Sequence, residues 1–162
     1  MQRYRQLIGL LCCLALCACE SFQSSVPFYP VNLTIDTRIG AFVTFQETNL
    51  NSHVEVNRDG YFLDGKYVLP TGATDQWGYG GVVVYVSMIG YVAYDLACPY
   101  CAAQSRRSPC EMDGIFAVCP HCGEKYELGS GYALPQNGIC KEHLRKLNIL
   151  NTDGKLKISQ SQ

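Results

Sequence analysis

Two stretches decide how this chain folds: Tyr91-Val-Ala-Tyr-Asp-Leu-Ala-Cys98-Pro99-Tyr100-Cys101 and Ile115-Phe-Ala-Val-Cys119-Pro120-His121-Cys122-Gly123-Glu-Lys-Tyr126-Glu-Leu128. In each, a run of apolar and β-branched residues leads straight into a Cys-Pro-x-Cys turn. Seventeen residues separate Cys101 from Cys119. That spacing falls in the range of a four-cysteine metal site. A C-x-x-C turn is tight enough for two sulfurs to reach one ion at about 2.3 Å. Proline after the first Cys stiffens the turn, and Gly123 after the last can take a positive φ. Cys98, Cys101, Cys119 and Cys122 are therefore the candidate metal ligands. Disulfides are the other reading. With Cys110 and Cys140 the set numbers six, and six cysteines allow fifteen pairings.

Working outward, the segments on either side read as strands. Val82-Val-Val-Tyr-Val-Ser is a continuous apolar run, as in a buried strand, and Ile89-Gly90 turns it into the run toward Cys98. Val31-Asn-Leu-Thr-Ile-Asp alternates, and Ala41-Phe-Val-Thr-Phe is expected to be a second short strand. Asp64-Gly65 and Asp153-Gly154 lie between apolar residues and predict hairpins. Lys141 to Lys146 is expected to form one helical turn. With eleven Tyr, six Phe and 15 Gly, the composition favours strands over helices. The expected fold is all-β, a sandwich or open barrel with two knuckle loops at one tip.

The beginning of the chain reads as an export signal. Arg3 and Arg5 precede an apolar run from Leu7 to Leu16. That run is too short to span a bilayer of about 30 Å and suits a signal peptide. It ends in Leu16-Cys17-Ala18-Cys19, which resembles the lipobox of bacterial lipoproteins, with Cys19 as the lipidated residue. Cys17 fits less well, because bulky Leu16 would sit just before it. The resulting organisation is a signal over 1–18, a lipid-anchored tether over 19–30 and one β domain over 31–162. The expected location is the cell envelope, with the membrane as partner through the lipid. Glu20 after Cys19 is not the Asp associated with inner-membrane retention, so the outer membrane is the expected address. An exported domain sits where thiols tend to oxidise.

Residues 78–147 as a whole resemble the Rieske iron–sulfur domain. In that family a strand pair precedes a Cys-x-His loop, and a hairpin leads to Cys-Pro-x-His-Gly followed by an aromatic, an acidic residue and a Gly. Cys98-Pro99 match the first loop. Cys119-Pro120-His121-Cys122-Gly123 and the following Tyr126, Glu127 and Gly129 match the second. The resemblance implies the fold and makes Cys98 and Cys119 counterparts of the family's ligand cysteines. The family's histidine positions fall on Tyr100 and Cys122, so both imidazole ligands are replaced. Two imidazoles give a Rieske cluster a potential of roughly −150 to +300 mV, whereas a plant-type four-thiolate cluster lies near roughly −400 mV. The implied cofactor is a zinc or iron centre, or an iron–sulfur cluster, held by four thiolates.

The other chemistry-bearing residues form no pattern. Cys110 and Cys140 lie outside the knuckles and are the candidate disulfide. His53 and His143 have no partner at ligand spacing and read as surface. Trp77, Tyr79, Tyr85, Tyr91 and Tyr94 read as packing aromatics. Asp64, Asp75 and Asp95 show no paired-carboxylate arrangement for acid–base work, and no catalytic constellation is evident. The formal net charge of −1 becomes more negative without Arg3 and Arg5, which gives no grip on nucleic acid. The expected function is a non-enzymatic, metal-binding lipoprotein. The alternatives are an electron-transfer module with an iron–sulfur cluster and a metal-free, disulfide-stabilised surface protein.

Overall fold

The computed structural model describes residues 24–160. The expected signal, Cys12, Cys13, Cys17, the lipidation residue Cys19 and the start of the tether lie outside the described residues. Within them the chain is almost entirely antiparallel strand, as the composition leads one to expect.

The strands are β1 (Val31–Asp36), β2 (His53–Asn57), β3 (Gly60–Leu63), β4 (Lys66–Leu69), β5 (Gln76–Trp77), β6 (Val82–Ser87) and β7 (Gly90–Asp95). They continue with β8 (Glu111–Asp113), β9 (Phe116–Val118), β10 (Lys125–Glu127), β11 (Leu134–Pro135), β12 (Lys146–Thr152) and β13 (Lys155–Gln160). A nine-stranded sheet has the order β4-β3-β2-β6-β7-β12-β13-β1-β5, and a four-stranded sheet has the order β11-β10-β9-β8.

Strand β6 is buried along its whole length because both of its faces meet a core. Val82, Val84 and Val86 face one cluster with Leu33, Ile35, Phe45, Val54 and Ile158. Val83 and Tyr85 face the other, which contains Tyr94, Leu96, Tyr126, Leu128 and five of the six cysteines at full burial. The two-residue period of a strand thus divides one continuous apolar run between two layers. The expected hairpins form at Asp64-Gly65 and Asp153-Gly154, where both central residues take positive φ, as a type I′ turn requires.

Three local expectations are corrected. The segment around Ala41–Phe45 is a 3₁₀ turn, Gly40–Thr44, and not a strand. Phe42 and Phe45 both point inward three residues apart, which matches the three-residue period of that turn and not the two-residue period of a strand. Residues 141–145 form no helix and run irregularly into β12. His53 is not a surface residue: it sits between Glu55 and Asp64 at 3.5 and 3.6 Å and stacks on Tyr85. Burial alone would lower its pKa, but Glu55 and Asp64 outweigh that and raise it. The aromatics expected to pack do so, with Tyr85 and Tyr94 fully buried and Trp77 and Tyr91 against the first core.

The Gly78–Gly81 loop clasps the end of β7. Asp95 is buried, and its carboxylate accepts backbone N–H groups from Tyr79, Gly80 and Ala97, each at 2.8 Å. Gly80 lies directly on the 96–97 backbone: a Cβ there would be 2.7 Å from the Leu96 carbonyl carbon and 2.5 Å from Ala97 Cα. Backbone on both sides cannot give way easily. Gly80→Ala is therefore expected to destabilise the domain by about 1–3 kcal/mol, read from a urea unfolding curve. A wild-type midpoint would show that the loop is free to move off β7.

Candidate metal centre

Strand β7 continues through Asp95-Leu96-Ala97 into Cys98. An isolated bridge from Ala97 to Pro109 and the bond from Cys98 N–H to the Ser108 carbonyl fix this approach. Beyond Cys98 the expected tight turn takes the form of a short helix, α1 (Pro99–Ala103). Proline at its first position suits it, since that N–H would have no helical partner. The turn places Cys101 beside Cys98, and the Cys101 N–H donates to the Cys98 sulfur.

The second knuckle grows from the β9–β10 hairpin. Cys119 N–H donates to the Glu124 carbonyl, and Gly123 N–H donates to the Cys119 carbonyl, both at 2.9 Å. Gly123 has φ +76°, the left-handed conformation this closure needs. His121 and Cys122 N–H groups donate to the Cys119 sulfur, and Glu124 N–H donates to the Cys122 sulfur. These N–H donors face sulfur atoms that can carry negative charge.

The two knuckles meet. Cys98 Sγ lies 3.6 Å from Cys122 Sγ, and Cys101 Sγ lies 3.7 Å from Cys119 Sγ. All four sulfurs fall within 4.8 Å of one another. Bond lengths of 2.3 Å to a tetrahedral ion give edges of about 3.8 Å. The sulfurs therefore stand near the corners of one coordination tetrahedron. Cys98, Cys101 and Cys119 are buried, and Cys122 is half-buried.

The donor set itself calls for a cation. Hydrogen bonding from the Cys110 thiol, opposed by burial and helped by Ser108 and backbone N–H groups, brings Cys119 down to about 3. Cys110 likewise brings Cys98 down to about 6, again against burial. Burial and the neighbouring sulfurs push Cys101 well above the usual thiol range, and burial pushes Cys122 up to about 11. Two thiols thus favour the thiolate, while burial first and the neighbouring sulfurs second favour the protonated form of the other two. Four thiolates packed this closely need a positive ion at their centre, so the residues present fit a metal.

Cys110 occupies a position that sequence reasoning missed. The structure does not join it to Cys140; all six cysteines of the described residues are free thiols. Cys110 N–H donates to the Leu96 carbonyl at 2.7 Å, and its side chain packs in the same buried cluster as Cys98 and Cys119. Cys140 donates instead to the Glu142 carbonyl at 3.3 Å. Only the pairing of residues 96–98 with 108–110 reveals this, and the sequence carries no spacing signal for it. Cys110→Ala is expected to retain the wild-type metal content and to lose about 1–2 kcal/mol of stability. Loss of the metal would make Cys110 a ligand.

Other expected residues stand apart from the centre. Tyr100 and His121, on the two knuckles, are exposed, and His143 is exposed on the loop before β12. Tyr126, beyond the second knuckle, is buried with its hydroxyl 3.5 Å from Cys98 Sγ. Glu124 is the second residue that sequence reasoning missed. It is fully buried, and its carboxylate accepts five backbone N–H groups, from Lys125, Gln136, Asn137, Ile139 and Cys140. It fastens the 136–140 segment to the second knuckle.

No family's sequence model matches the chain, and no curated protein matches it. A solved structure described as a complex of reduced oxygenase and oxidized ferredoxin in carbazole 1,9a-dioxygenase has a chain that is 13% identical. The match covers 82% of this chain and 95% of that one, with a TM-score of 0.44.

Proposed function

We propose that this chain is a lipid-anchored cell-envelope protein that holds a single metal ion, zinc or iron, through Cys98, Cys101, Cys119 and Cys122. The observation that carries this reading is the convergence of four sulfurs within 4.8 Å. A two-iron cluster would place its irons and bridging sulfides between two thiolate pairs and so hold those pairs farther apart than the edges of one tetrahedron. The present spacing suits one ion. Four protein thiolates also leave no open coordination position, which is the arrangement of a structural and not a catalytic site. Zinc would supply cross-linking without redox chemistry; iron in the same thiolates would add a one-electron couple.

The centre ties together two halves of the core that contains the cysteines. Cys98 and Cys101 belong to the end of β7 and α1, and Cys119 and Cys122 to the β9–β10 hairpin. An ion shared between them fixes the four-stranded sheet to the larger one. The lipid anchor is supported by the residues up to Cys19.

The test is to purify the mature protein without air, then count metal, acid-labile sulfide and free thiols. One zinc or one iron per chain without sulfide is the expected result. Iron with equal sulfide would contradict the single-ion reading and assign an electron-transfer cluster. No metal and no free thiols would overturn the metal site in favour of disulfides.

A further inference from the structure

The first described residues are not loose. Ser24 Oγ and Ser25 N–H donate to the Glu142 carboxylate at 2.8 and 2.9 Å, and Arg145 donates to the Pro27 carbonyl at 2.9 Å. Val26 is buried between them, against Ala97 and Ala102 of the first knuckle. The leading segment is thus clamped onto the 141–145 loop at the metal end of the domain. Four residues lie between Cys19 and Ser24, and the five steps from one to the other span about 17 Å at full extension.

Around this clamp the surface is basic and apolar. Lys141, Arg145 and Lys146 follow one another closely, while Glu142, the acidic residue among them, is turned to Ser24 and Ser25. Phe28 beside the clamp is 72% exposed, and Ile139 and Tyr100 border the same depression as Ser25 and Lys141. The chain as a whole carries a net charge of −1, so this basic grouping stands against the average.

We propose that this face, with Lys141 and Lys146 at its centre, lies against an anionic lipid surface and turns the first knuckle toward the membrane. The proposal rests on the lipid-anchor reading: an acyl group within about 17 Å of Ser24 leaves the clamp close to the headgroups. Basic side chains at that depth are drawn to acidic lipid, and exposed aromatics settle at the interface. An acyl chain alone sets distance; the basic and apolar residues set orientation.

The test uses the mature acylated protein reconstituted in vesicles of phosphatidylcholine, with or without phosphatidylglycerol. Lysine acylation by a water-soluble reagent is read residue by residue. Lys155 is the internal control, since β12 carries the chain about 20 Å from Lys146 to the hairpin beside Lys155. Labelling of Lys141 and Lys146 relative to Lys155 is expected to fall about fivefold or more in the anionic vesicles, and to recover at high salt. In the Lys141→Glu/Lys146→Glu protein, Phe28 should likewise lose its burial, read as quenching of a fluorophore placed there. Equal labelling of all three lysines in vesicle-bound, acylated protein would overturn this proposal alone. A Cys19 without lipid in the N-terminal peptide mass would overturn the anchor reading and this proposal with it. Protection seen in intact envelopes but absent from vesicles would assign the face to an acidic protein and overturn the membrane orientation.

Discussion

Cys119→Ser protein is expected to lose its metal ion and to unfold the core around the knuckles while the core of Leu33, Ile35 and Val54 persists. Cys119 sits at the junction of both knuckles: its sulfur faces Cys101 at 3.7 Å and accepts two backbone N–H groups. Serine retains the shape but not a thiolate, and an ion left with three sulfurs and a hydroxyl is held far more weakly. Structural zinc stabilises small domains by about 10–16 kcal/mol near neutral pH. Much of that is expected to be lost here, because four ligands tie two sheet segments whose burial alone is modest. Amide exchange should then accelerate by orders of magnitude in β8 to β11 and remain slow in β6 and β13. The comparison with Cys110→Ala is informative, since both remove a buried sulfur. If the two variants lost equal stability and the wild-type protein bound no ion, the cysteines would be packing residues only.

Glu124→Ala is expected to be the most damaging substitution outside the centre, at about 4 kcal/mol or more. Five backbone N–H groups converge on this buried carboxylate; Gln136 keeps the Lys125 carbonyl at 2.8 Å, and each other one left without an acceptor costs about 1–3 kcal/mol. Gln restores one carbonyl but brings an amide N–H₂ against the Ile139 and Cys140 donors, so it should recover little. Burial by itself would raise the Glu124 pKa; the N–H groups of Cys140, Asn137, Lys125 and Ile139 reverse this and hold it below the ordinary value of 4.5. A carboxylate whose folded pKa is depressed contributes stability above its unfolded pKa and loses it as pH falls through the folded one. Wild-type stability should therefore decline below about pH 4.5, and the Glu124→Gln protein should decline less over the same interval. Parallel acid profiles for the two proteins would show that the carboxyl titrates alike folded and unfolded, so that the N–H groups do not depress it.

The parts legible in the sequence are those encoded by local chemistry. The Cys-Pro-x-Cys turns, Gly123 after the second and the two Asp-Gly hairpins are short-range signals, and the structure has them where they were expected. The all-β character follows equally from composition and alternation. What stayed hidden depends on distant pairing. Nothing near Cys110 announces that residues 108–110 would line up with 96–98 and bring its thiol to two other sulfurs. Glu124 looks like any charged residue in a polar turn until the 136–140 segment folds over it. His53 has no sequence neighbour at ligand spacing, yet strand pairing sets it beside Asp64 and on Tyr85. The 3₁₀ turn at Gly40–Thr44 was concealed by an apolar composition that suits a strand equally well.

X-ray absorption at the edge of the metal found in the purified protein tests the central reading most directly. Four sulfur scatterers at about 2.3 Å and no second metal in the next shell are expected. A short metal–metal distance, or a first shell dominated by nitrogen and oxygen, would contradict it.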